Sequence, residues 1–268
     1  MLVKRVLSAV VGIPLLIIIF RIGGLAFLLL NMGVVYLGIG EYFKFTEGKG
    51  VNANRFLAIL LGLILLLLTY LNSSLEVIYH FLFMAVLIVQ LKQVLISKDD
   101  SPILTTAITI FGVLYVGGLF SYLLRLFNLQ HQRQFGSILL WLPILATWAN
   151  DTGAYFTGMN FGKRPLAPKI SPKKTIEGSL GGLAAGLLVT TAIITYLGFD
   201  YWHGIILGVL IGVFGQLGDL CESIFKRDAQ IKDSGDIIPG HGGILDRIDS
   251  LLFALPIAYY YIQFIIFK

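Results

Sequence analysis

The sequence predicts an all-α polytopic membrane protein of about nine transmembrane helices, with the N-terminus cytoplasmic and the C-terminus outside. Three observations carry that prediction. Of the 268 residues, 57% are hydrophobic and 13% charged. Together with a mean hydropathy of +0.85, this leaves too few polar side chains to clothe a water-soluble surface. Apolar runs such as Ile59 to Leu68 and Ser179 to Leu197 recur along the chain, and a bilayer core of about 30 Å takes roughly 20 such residues as helix. Lastly, 16 of the 20 Lys and Arg fall at the N-terminus and in four loops that a nine-span chain puts on one side, which the positive-inside rule makes the cytosol.

The elements follow in order. Helices are predicted over about 4–21, 24–43, 54–71, 75–96, 102–127, 136–157, 178–198, 202–225 and 249–267. The first starts with Lys4 and Arg5 ahead of an apolar stretch, like a signal peptide, but no small-residue cleavage site follows, so it reads as a retained helix. Residues 1–130 read as plain hydrophobic helices, a scaffold whose apolar faces could support a homodimer. Residues 131–268 read as the catalytic half, with cytosolic loops 158–178 and 226–248. The charge distribution points there: 18 of the 35 charged residues lie in 150–178 and 219–249. A single cysteine, Cys221, excludes an internal disulfide and multi-thiolate metal sites, and His80, His131, His203 and His241 are scattered. The net charge of +5 fits topology and anionic partners at the membrane face better than nucleic acid.

The eighth predicted helix is the most informative. Residues 208, 212, 215, 219, 222 and 226 share one face, so a glycine stripe runs into Asp219, Glu222 and Lys226. Glycines at this spacing are explained by close helix packing. Asp219 is not, because it lies roughly 10 Å inside the Lys226-Arg227 pair, where a charge costs about 2.5–3.5 kcal/mol unless it meets a cavity, a cation or a metal. An ion pair with a basic residue of the following loop is the plain alternative.

The next loop contains Pro239-Gly240-His241-Gly242-Gly243, whose successive amides could cradle an anion. Asp246 and Asp249 then sit three apart at the start of the ninth helix, where one carboxylate is accounted for by capping and two less readily. With Asp219 they could offer the oxygen ligands that Mg²⁺ prefers, one or two carboxylates completed by substrate phosphates. The earlier loop supplies Lys163, Arg164, Lys169, Lys173 and Lys174 among prolines and glycines, a shaped contact for a polyanion, with Asp151 as a further cavity-facing acid. Familiar nucleotide motifs are absent: Gly158 to Arg164 is too short for a P-loop, no Rossmann fingerprint occurs, and Asp246-x-x-Asp249 continues into Ser250 instead of the CDP-alcohol phosphotransferase signature.

The stretch Ser223-x-Phe-Lys226-Arg227, then Lys232-Asp233-Ser-Gly235, then Ile238-Pro239-Gly240-His241-Gly242-Gly243-Ile-Leu-Asp246-Arg247-Ile-Asp249 resembles the signature of phosphatidate cytidylyltransferases without departure over its 27 positions. Asn150-Asp151-Thr-Gly-Ala-Tyr155 and the segment from Phe161 to Gly178 resemble the same family, while the N-terminal half resembles it only in being helical. The resemblance implies transfer of CMP from CTP to phosphatidic acid, with release of pyrophosphate, in the inner membrane with the active site facing the cytoplasm. It implies Mg²⁺, and the acid cluster could accept a second cation. On this footing Asp219 and Asp246 are expected to bind Mg²⁺, with Asp249 and Glu222 in support. Lys226, Arg227, Lys232 and Arg247 are expected on phosphates, Lys173 and Lys174 on the triphosphate or pyrophosphate, Ser223 as a hydrogen-bond donor and His241 beside the leaving pyrophosphate. Competing readings are a CTP-dependent lipid kinase of the polyprenol or phytol type, and an ion-coupled transporter. The carrier is disfavoured because no paired interrupted spans occur and the acids gather at the cytosolic end.

Overall fold

A computed structural model of the chain describes residues 2–47, 51, 53–95, 100–133, 137–237 and 242–268. Each of the predicted segments is helical. Helices α1 (Leu2–Ile22), α2 (Gly24–Lys44), α3 (Arg55–Tyr70), α4 (Leu75–Leu95) and α5 (Pro102–Gly112) are followed by a π-helical segment, Val113–Gly118. Then come α6 (Tyr122–Arg133), α7 (Ile138–Phe161), α8 (Ile176–Tyr196), α9 (Tyr201–Asp228) and α10 (Leu245–Tyr261), which ends in a second π-helical turn, Ile262–Ile266. Among the described residues six helical stretches are long and apolar enough to cross a membrane: Gly24–Lys44, Leu75–Leu95, Pro102–Leu129, Ile176–Tyr196, Tyr201–Asp228 and Leu245–Ile266. Val10–Ile22 and Arg55–Tyr70 are shorter apolar helices.

The purely helical expectation misses one element. Between α7 and α8 the chain forms an antiparallel ribbon of β1 (Pro165–Ala167) and β2 (Ser171–Thr175), in register at Pro165 with Thr175 and Ala167 with Ser171. Three prolines in eight residues, Pro165, Pro168 and Pro172, bar a helix here, and a ribbon with two open edges tolerates their missing amides.

The chain divides into two compact units. The first comprises Met1–Asn128 and Asp228–Arg247, so the central part of the signature segment clusters with the N-terminal helices. Within it, Asn54 caps α3 by accepting from the Leu57 amide at 3.1 Å. A Cβ at Gly117 would stand 3.2 Å from the Gly62 Cα, so the π-helical segment and α3 meet backbone to backbone. Phe27 stacks on Phe127 at 4.6 Å between ring centres, and Phe111 on Tyr115 at 5.4 Å.

The second unit comprises Leu129–Arg227 and Ile248–Lys268. Its helices pack through glycine. A Cβ at Gly182 of α8 would lie 2.5 Å from the Asn150 carbonyl oxygen of α7. On α9 the glycine stripe serves two neighbours. Added Cβ atoms at Gly204 and Gly208 would meet the α8 backbone, at Thr191 Cα and Leu187 Cα, at 2.5 and 2.7 Å. One at Gly218 would meet the Asp249 carbonyl oxygen of α10 at 2.5 Å. The packing explanation of these glycines therefore holds, and their consequence is to bring α9 and α10 together at Asp219 and Asp249.

Candidate active site

The second unit contains a cavity of about 460 Å³. Its wall includes Asn150, Asp151 and Tyr155 from α7, Lys173 and Lys174 from β2, Ser179 from α8, and Gln216 and Asp219 from α9. Each reaches it for a local reason. Proline-bearing β2 is extended and runs along the cavity, so the neighbouring Lys173 and Lys174 both border it. Thr175 then caps α8, its Oγ1 accepting from the Gly178 amide at 3.1 Å, which turns the ribbon into the helix directly beside the cavity. Gln216 and Asp219 lie three apart on one face of α9.

The sequence suggested that Asp219 needs a cavity, a cation or a metal, and the structure provides the first two. Its Oδ2 pairs with Lys174 Nζ. The partner comes from the preceding basic loop instead of the following one. The two side chains keep 30% and 27% exposure, so the pair is shielded yet open to the cavity. Asp249 borders the same group: the charges that act on it are the carboxylates of Asp219 and Asp151 and the ammonium of Lys226. Its Oδ1 also accepts from the Ser250 amide. Glu222 is fully buried and pairs with Lys226 at 3.3 Å, so this acid supports a basic side chain one turn away. Ser223 is buried beside it.

A polar network that residue spacing alone did not single out forms the inner wall. Gln216 Nε2 donates to Asn150 Oδ1 at 3.1 Å and to the Ser179 carbonyl at 3.0 Å, while Ser179 Oγ donates to Gln216 Oε1. A lone glutamine three residues before Asp219 in an apolar helix was the available signal. This network fixes α7, α8 and α9 to one another at the cavity, the kind of satisfied buried polar cluster that specifies a single packing.

Not all the loop cations serve the cavity. Arg164 Nε donates to Glu177 Oε1 at 2.9 Å, and the Lys163 and Arg164 amides donate to Glu177 Oε2 at 3.0 and 3.1 Å. Arg227 Nε donates to the Ile170 carbonyl at 3.1 Å, tying the ribbon's turn to the end of α9. Glu177 is thus the clasp of the ribbon. Replacing it by Ala should leave the helices intact, speed tryptic cleavage after Lys163 and Lys169, and lower activity several-fold; unchanged cleavage kinetics would show that the clasp is dispensable.

The remaining predicted residues lie in the first unit. Asp246 Oδ2 accepts from the Gly243 amide at 2.8 Å and from the Ser234 amide and hydroxyl at 2.9 and 3.0 Å. The glycine amide does meet an anion, and that anion is the chain's own carboxylate. Gly242 adopts φ +82°, and a Cβ there would lie 2.7 Å from Asp246 Oδ2, so glycine is required on both counts. Lys232 and Arg247 are exposed, and His241 lies outside the described residues.

Oxygen donors of this kind suit a hard cation. Among the described residues no three His, Cys, Asp or Glu side chains form a metal cage by themselves. Mg²⁺ sites commonly use one or two carboxylates, with phosphate oxygens and water completing the shell. Asp219 and Asp151 line the cavity, and Asp249 lies within electrostatic reach of both.

The family model described as the cytidylyltransferase family matches residues 3–265. The chain belongs to that family. It is 37% identical to a phosphatidate cytidylyltransferase of Synechocystis sp., over 97% of this chain and 96% of the relative. Proteins of the same name from Bacillus subtilis and Staphylococcus saprophyticus are 34% and 33% identical, over 96% and 94% of this chain and 96% of each relative. The match spans both units, so the N-terminal half, similar by eye only in being helical, belongs to the family as fully as the signature segment does.

Proposed function

We propose that the chain transfers CMP from CTP to phosphatidic acid, yielding CDP-diacylglycerol and pyrophosphate, and that the nucleotide's phosphates occupy the second unit's cavity. The observation that supports this most is the Lys174–Asp219 pair set beside Lys173 in the cavity wall, in a chain related over nearly its whole length to phosphatidate cytidylyltransferases. A phosphate monoester has its second pKa near about 6, so phosphatidate at neutral pH is already a charged nucleophile and no triad is needed to activate it. One of its oxygens bonds to the α-phosphorus of CTP as the α-phosphorus bond to the bridging oxygen breaks, and the electron pair leaves with pyrophosphate. The barrier is the meeting of two polyanions, which positioned cations lower.

Lys173 and Lys174 receive the triphosphate and balance the charge that builds on pyrophosphate. Pairing with Asp219 holds the Lys174 ammonium at the cavity before nucleotide enters. Asp219 and Asp246 are the side chains that would hold Mg²⁺, with Asp249 and Glu222 in support and Asp151 as a further acid of the cavity wall, and a bound Mg²⁺ supplies further neutralisation of the triphosphate. Lys226, braced by Glu222, and Arg227, braced by the ribbon, stand at the cytosolic end of α9 as additional phosphate contacts. The asymmetry of Lys and Arg supports an inner-membrane protein of about nine spans with the N-terminus and this cavity facing the cytoplasm.

A product assay tests the reading. Purified protein given phosphatidate and α- or γ-labelled CTP should form a CMP-bearing lipid and pyrophosphate, with dATP, ATP and GTP serving as comparisons. Label from the γ-position appearing in lipid, with CDP released, would mark a lipid kinase and overturn the proposal.

A further inference from the structure

The reaction scheme leaves Glu41 unused. It lies in the last turn of α2 and is 1% exposed. A carboxylate there opposes the negative end of the helix dipole, and burial adds a desolvation cost, so α2 itself gives no reason for an acid. The reason lies about 200 residues away along the chain. Glu41 Oε1 accepts from the Ile244 amide at 3.0 Å, and Oε2 accepts from the Leu245 amide at 2.9 Å and lies 2.8 Å from the Ser234 hydroxyl. Leu245 carries the first amide of α10, which has no partner within its own helix, and Ile244 the amide just before it. Glu41 is therefore a helix cap supplied from another helix.

The signature segment is built closely around this carboxylate. A Cβ at Gly235 would come within 2.5 Å of Glu41 Oε1, and one at Gly243 would collide with Glu41 Oε2 and Ser234 Oγ. Ser234 joins this cap to the next acid, because its amide and hydroxyl also reach Asp246 Oδ2 at 2.9 and 3.0 Å. Two carboxylates, one from α2 and one from α10, hold Ser234 and the amides of Gly243, Ile244 and Leu245 in place.

We propose that Glu41 is a positioning residue for the cytidylyl transfer: it fixes Ser234 and the start of α10 at Ile244 and Leu245 and, through Ser234, the orientation of Asp246, an acid of the family signature expected to bind Mg²⁺. The inference rests on the reaction proposed above only where activity is the readout. Glu41→Gln preserves size but puts an NH₂ group where one of the acceptor oxygens was, facing a donor. Hydrogen bonds to charged groups are worth enough that kcat should fall roughly 10- to 100-fold, with the KM for CTP nearly unchanged.

The test compares full-length wild type, Glu41→Gln and Gly235→Ala by turnover, thermal unfolding and amide hydrogen exchange. Gly235→Ala disturbs the same contact from the loop side and serves if Glu41→Gln folds poorly. Faster exchange at Ile244 and Leu245 with a loss of kcat, and unchanged exchange in residues 150–180, is the expected result. Unchanged exchange at those amides, or protection lost throughout the chain, overturns the positioning role. Absence of CMP transfer in the wild type would instead overturn the assigned reaction, and the exchange comparison would still decide whether Glu41 holds the segment.

Discussion

Asp219→Asn should lower CMP transfer by about 100-fold or more while the protein still purifies and unfolds at nearly the wild-type temperature. Asn keeps the shape of Asp and its neighbours in α9, so packing at Gly215 and Gly218 is preserved. What changes is charge. The Lys174 ammonium loses its partner, and the oxygen set that would bind a divalent cation loses its central member. The measurement is kcat with labelled CTP across a Mg²⁺ titration. Near-normal turnover at ordinary Mg²⁺ would remove Asp219 from the metal assignment. The companion substitution Lys174→Met should also be severe, and the double variant should be less damaged than the sum of the two, because residues that share one interaction are not additive.

The other large effect is on assembly. Gly182→Val should destabilise the second unit by about 3 kcal/mol or more, beyond the usual cost of an inserted methylene. Its first added carbon would lie 2.5 Å from the Asn150 carbonyl and 2.6 Å from Asn150 Oδ1. The backbone cannot retreat without parting α7 from α8, and Asn150 cannot turn away without releasing Gln216. Both the interface and the polar wall of the cavity are therefore lost together. Thermal unfolding in detergent, with Gly33→Ala as the comparison, checks this, since a Cβ at Gly33 meets nothing within 4 Å. A Gly182→Val protein as stable as wild type would mean that α7 and α8 do not pack as described.

Much of residues 131–268 was legible because the signals there are local. Asp219 stood out by its depth in an apolar helix, and Lys173 and Lys174 by their place in a basic, proline-rich loop. The ribbon was less legible: prolines announce that a helix stops, and whether two extended strands then pair depends on how the helices bring their ends together. Glu41 was hidden for a different reason. Three residues before Lys44, at the edge of an apolar run, it looks like an ordinary helix end, and nothing in its neighbours predicts that it caps a helix from the far end of the chain. Arg164 likewise counted as one more cation until Glu177 was seen to hold it.

Sequence alone determined the solvent, the helices and the family, because transfer of side chains to lipid is a sum over neighbours in the chain and a long signature is read position by position. The tertiary structure decided which charges meet. Lys174 neutralises Asp219 across 45 residues and Glu41 caps Leu245 across 204, and such pairings are set by which helix backbones can approach each other, a property of packing in three dimensions that no local pattern encodes.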